Sequence, residues 1–196
     1  MKKLILIVFV LASAFVASAQ VQYGIKAGLN VANLKSSGIT YDNGTSLSSK
    51  TDFNAGIMAA IPLFSNAYLQ PELSFSGQGQ KYTSSVANGT INYDYLNLPV
   101  LFKYQHSSGL FAESGPQIGF LLSAKIKING YTIDQTQTQT VDFSWAFGLG
   151  YKLQSIPVGI DLRYNLGLTS VNKESGTATI KNSVFQFDVF YLFGVK

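Results

Sequence analysis

Val158-Gly159-Ile160-Asp161-Leu162-Arg163-Tyr164-Asn165-Leu166-Gly167-Leu168 decides how this chain is read. Every even position is large and apolar; every odd one is glycine or polar. Side chains on a β-strand point alternately to its two faces, so this is a strand with one greasy face and one small, polar face. Outward from it the same period recurs. Tyr23, Ile25, Ala27, Leu29 and Val31 share a face opposite Gly24, Lys26, Gly28 and Asn30. The pattern continues through Phe53–Ile61, Leu69–Phe75, Leu96–Tyr104, Leu110–Leu122, Phe143–Tyr151 and Phe185–Phe193, giving about eight segments. Each approaches the 9–11 residues a tilted strand needs to cross a bilayer.

The composition of the small face separates two classes. A soluble barrel turns its bulky residues inward and covers its outside with lysine and glutamate. Here charged residues are only 12% of the chain against 46% hydrophobic, and the small face is dominated by Gly, Ser, Asn and Ala. Small residues suit the inside of a narrow barrel, and bulky apolar ones suit lipid. The expected fold is therefore all-β, an antiparallel up-and-down transmembrane barrel of about eight strands. A soluble lipocalin-like barrel is the alternative.

The connections alternate in length. Those at 64–66, 105–108 and 154–157 are short, whereas 35–50, 81–90, 125–140 and 170–182 are long and polar. Outer-membrane barrels have short periplasmic turns and longer external loops. In that orientation Tyr23, Tyr104, Tyr151, Tyr191 and Phe193 fall at the periplasmic strand ends, as an aromatic girdle requires.

Met1-Lys2-Lys3, the apolar run Leu4–Val16 and Ala17-Ser18-Ala19 form a signal-peptide pattern with cleavage after Ala19. The expected organisation is a leader over 1–19 and a barrel domain over 20–196, exported to the outer membrane. Without Lys2 and Lys3 the remainder carries 12 basic and 10 acidic residues, a balance that gives no case for nucleic-acid binding. Cysteine is absent, which excludes disulfides, thiolate metal sites and a cysteine nucleophile.

Several segments resemble the PorT-like outer-membrane β-barrel family: Gly24-Ile25-Lys26-Ala27-Gly28-Leu29-Asn30, Tyr95-Leu96-Asn97-Leu98-Pro99-Val100 with Lys103-Tyr104, Gly115-Pro116 with Gly119-Phe120-Leu121-Leu122, and Asp161–Gly167. Two features differ from the family pattern. Asn97 stands where members often carry an acidic residue, and Gly194-Val195-Lys196 follow the aromatic Phe193. The resemblance implies the barrel fold, and the family's namesake adds an accessory role in a gliding-type protein secretion system.

Eight charges fall on the inward face near the periplasmic half: Lys26, Lys103, Lys152 and Arg163 with Glu72, Glu113, Asp161 and Asp188. They are expected to pair as an ionic plug, because an isolated charge in a dry interior costs several kcal/mol; an ion or proton pathway is the competing reading. Above them Asn30, Asn54, Ser74, Ser144 and Asn165 suggest a shallow cavity open to the outside. His106, the one histidine, with Ser107 and Ser108 lies on a short turn, so turn chemistry is expected in place of a catalytic pair. No cofactor, transition metal or enzymatic activity is expected. Expected partners are outer-membrane lipid, the barrel assembly machinery and unidentified envelope proteins. Loop lysines 35, 50, 81, 125, 127, 173 and 181 either meet lipopolysaccharide phosphates or form a mildly basic solvated surface. The functional expectation is a surface scaffold, adhesion or envelope-integrity module.

Overall fold

The structure, a computed structural model, describes residues 21–38, 45–84, 87–173 and 179–194. The expected leader lies outside these. The described chain forms nine strands: β1 Gln22–Ser37, β2 Ser46–Phe64, β3 Ala67–Thr83, β4 Asn88–Gln105, β5 Leu110–Ile128, β6 Tyr131–Asp134, β7 Val141–Lys152, β8 Val158–Gly167 and β9 Thr179–Leu192. Sequential strands pair antiparallel, and β9 closes on β1, so eight of them form a ring. The short β6 stands outside that ring, hydrogen-bonded to the upper end of β5.

The registers set the tilt. Following the registers across the ring from Gly24 leads back to β1 at Leu34, ten residues further on. Ten residues of stagger over eight strands incline each strand about 40° from the barrel axis, within the range of transmembrane barrels.

Burial follows the sequence period in the sense expected of a membrane barrel. On β8, Ile160 and Leu162 are about half exposed, while Asp161 and Arg163 are 3% exposed. The outer wall is thus apolar and the interior polar, which overturns the lipocalin-like alternative: a soluble barrel would present this wall of Leu, Ile, Val and Phe to water. Among the described residues no helix is long and apolar enough to cross a membrane.

Much of what the sequence suggests as long loops is strand. β3 runs to Thr83 and β4 begins at Asn88, so the expected loop at 81–90 shrinks to a tight connection. The expected loop at 125–140 begins as a hairpin of β5 and β6. Loss of hydrophobicity marks the end of the lipid band, yet backbone pairing continues into water wherever neighbouring strands extend together. A register shift opposite Asp94/Tyr95 also reverses the faces of β5 above it, while β4 keeps its own, with Tyr93 and Tyr95 both buried. Beyond that bulge Lys125 and Lys127 are exposed, and Ala124 packs inside.

Candidate functional site: a charged layer inside the barrel

The centre of the lumen is Arg163 on β8. Its guanidinium makes a two-pronged contact with Glu72 on β3, each bond 2.9 Å. It bonds Asp161 at 2.8 Å and also donates to Glu113 on β5. Planar guanidinium against carboxylate is the strongest of these pairings, and here one arginine holds three acids from three strands. Lys26 on β1 adds Asp188 at 2.7 Å, Glu72 at 3.2 Å and Asp161 at 3.7 Å. Glycine makes the room: Glu113, Gly148 and Arg163 are register partners across β5, β7 and β8. A Cβ added at Gly148 would meet Glu113 Cγ at 2.7 Å. Opposite charges from two walls therefore meet over a residue with no side chain.

Six of the eight expected residues form this network. Lys103 is buried but has no ion pair among the described residues. Its ammonium lies 3.6 Å from the Phe111 ring centroid and 5.0 Å from that of Phe190, and it donates to Gln70 Oε1 at 3.3 Å. Aromatic faces and an amide satisfy it in place of a carboxylate. Lys152 stays out as well: it ends β7 at the barrel rim and is half-buried. Gln70, neutral and therefore without a charge signal in the sequence, links the parts by donating to Glu72 at 2.7 Å and Glu113 at 3.2 Å.

The charged layer lies between two apolar seals. Met58, Phe111, Phe190 and Leu192 close it below, and the space it lines among Lys26, Glu72, Lys103 and Asp188 is too small for a water molecule. Above it comes a neutral layer in which Asn30 donates to Ser76 at 3.0 Å and receives bonds from Asn54 and Gln186. Higher still, Leu34, Tyr93, Tyr95 and Val171 pack together. Asn30, Asn54, Ser74, Ser144 and Asn165, expected to line a shallow cavity open to the outside, are all buried. Val171 comes from the connection after β8 and is only 2% exposed. A loop side chain enters the mouth, which strand periodicity does not foretell.

Tyr23, Tyr104 and Tyr191 are outward and exposed at the periplasmic strand ends, and Tyr151 is half-buried at the end of β7. Phe193, just past β9, packs against Tyr191 with centroids 5.2 Å apart and donates its backbone N–H to Tyr23. On the turn before β5, His106 Nδ1 lies 2.9 Å from Ser108 Oγ and accepts the Ser108 N–H. The bonded partner is Ser108, and the contact is local to the turn. Among the described residues no group of three or more His, Asp or Glu side chains is placed to hold a metal.

A closed eight-stranded ring with an apolar outside and a charged inside defines the class: a small outer-membrane β-barrel. The model of the outer membrane protein β-barrel domain matches residues 16–173, and the chain belongs to that family. Among solved structures, Neisserial surface protein A is similar at 14% identity, with 86% of this chain and 96% of that one covered and a TM-score of 0.54. Ail, the attachment invasion locus protein of Yersinia pestis, is 17% identical over 88% of this chain and 98% of that one, with a TM-score of 0.49. The likeness to the Neisserial protein is one of fold. No curated protein matches the chain. The protein resides in the outer membrane.

Proposed function

We propose that this protein is a non-enzymatic scaffold of the outer membrane, acting at the cell surface or in envelope integrity, with a lumen that conducts nothing. The carrying observation is the sealed charged layer: Arg163, Lys26 and four carboxylates fill the barrel's section between the Phe111/Phe190 floor and the Val171 cap. A transport path would need a way around side chains whose removal from one another costs several kcal/mol. The surface available for recognition is then the extracellular extension of β1 to β5, together with β6. The test is single-channel recording of the purified barrel in planar bilayers: silence is expected, and reproducible discrete openings would overturn the reading. A second reading, an accessory subunit of a secretion machine, rests on the resemblance of Gly24–Asn30 and Asp161–Gly167 to the PorT-like family. Recovery of the barrel within a large envelope complex after mild detergent extraction supports it, and recovery alone supports the scaffold. Export by a leader over 1–19 and insertion by the barrel assembly machinery belong to both readings.

A further inference from the structure

The two rims of the barrel differ in charge on their outer faces. Around the periplasmic rim the outward side chains are tyrosine and other apolar residues. At the extracellular end five lysines occur on outward positions: Lys35 on β1, Lys181 on β9, Lys81 on β3, and Lys125 and Lys127 on β5.

Lys35 and Lys181 are direct register partners across the β1–β9 seam. Like charges on directly opposed residues, with Cβ atoms about 5 Å apart, repel and destabilise a sheet. Among the described residues neither lysine has a carboxylate partner; Lys35 instead donates to the Tyr164 hydroxyl at 3.0 Å. That hydroxyl shares a second bond of 3.0 Å with Ser183, and the Tyr164 ring packs on Phe185 at 4.6 Å between centroids. The Lys35 ammonium and two hydroxyls thus cluster above an aromatic, lipid-facing platform, and Lys181 stands directly across the seam from Lys35.

The depth is that of a headgroup. The twelve residues from Tyr23, in the periplasmic girdle, to Lys35 climb about 30 Å at this tilt, and the apolar band of such barrels is about 25 Å tall. Below the lysines Phe185, Phe187 and Leu29 face the acyl region.

We propose that Lys35 and Lys181, with Tyr164 and Ser183, form a binding site for the phosphate of an anionic lipid in the outer leaflet. A phosphate bridging the pair accepts charge-assisted bonds from both ammoniums and removes their repulsion. The Tyr164–Phe185 platform takes the adjoining chain, which a free anion lacks; that selects a lipid over soluble phosphate.

The test uses the chain folded into phosphatidylcholine vesicles containing phosphorylated or dephosphorylated lipid A, with the temperature at which the folded gel band converts to the unfolded one as readout. The wild type is expected to gain several degrees from phosphorylated over dephosphorylated lipid A. K35Q/K181Q is expected to lose most of that gain, yet to be no less stable than wild type in phosphatidylcholine alone, where the repulsion is relieved. K152Q/K173Q, which removes the same charge elsewhere, should keep the gain. An equal gain in wild type and K35Q/K181Q overturns the site. A gain reproduced by inorganic phosphate in phosphatidylcholine vesicles overturns the lipid assignment in favour of a free anion.

Discussion

At the periplasmic end the lumen is closed by Met58, Phe111, Phe190 and Leu192, all on strands of the ring; at the extracellular end Leu34, Tyr93 and Tyr95 are completed by Val171, which is not. The lower seal cannot withdraw without breaking the backbone ladders of β2, β5 or β9. The upper one depends on a connection outside the ring, tied to neighbouring segments by bonds such as Val171 N–H to Ile180 O at 2.8 Å, Gln139 N–H to Val171 O at 2.7 Å, Lys173 N–H to Gln137 O at 3.0 Å and Ile180 N–H to Ser170 Oγ at 3.0 Å. Two clusters of similar chemistry therefore differ in how they open. The lower opens only with global unfolding, and the upper by a local, sub-global event.

Breaking the lower seal should have the largest effect. Phe111→Ala removes a buried ring and the principal aromatic face over Lys103, and should cost about 3–5 kcal/mol. It should appear as a lower temperature of gel-band conversion and a lower urea midpoint.

Next is the lipid face between the two seals. Leu162→Arg should cost about 2–4 kcal/mol near the midplane, whereas Ser37→Arg, above the lipid band, should stay within about 0.5 kcal/mol. Equal behaviour of the two in folding yield would contradict the assigned faces.

The smallest effect belongs to the upper seal. Val171→Ala deletes about two methylene equivalents, roughly 1.5 kcal/mol. It should leave the conversion temperature unchanged while speeding amide exchange at Val171 and Lys173 about tenfold. A change in global stability with no local acceleration would mean that the cap is part of the cooperative unit.

The same contrast explains what was legible in the sequence. Period-two alternation identifies every strand of the ring, which face meets lipid, and six charges that do meet inside. It assigns a face but not a depth or a partner, so Lys103 and Lys152 are grouped with acids they do not reach. Register puts Lys152 at the rim, but it sets Lys103 directly opposite Glu113; there the side chain turns away to the Phe111 and Phe190 rings, which no sequence pattern encodes. Val171 carries no periodic signal, because its place is set by the path of a connection. One missed element did have a signal. Asn129-Gly130 lies between alternating Lys125-Ile126-Lys127-Ile128 and Tyr131, and both turn residues have positive φ, 47° and 90°. That is the two-residue turn asparagine–glycine favours, and it marks the β5–β6 hairpin where a polar loop is expected.

A closed eight-stranded barrel in the outer membrane resists detergent until it is heated. Outer-membrane fractions run on denaturing gels with and without boiling test this in one step. A closed barrel should give a membrane-bound band that migrates differently unboiled and shifts to the unfolded position on heating. Identical migration before and after boiling, with the protein recovered in the soluble periplasmic fraction, would contradict it.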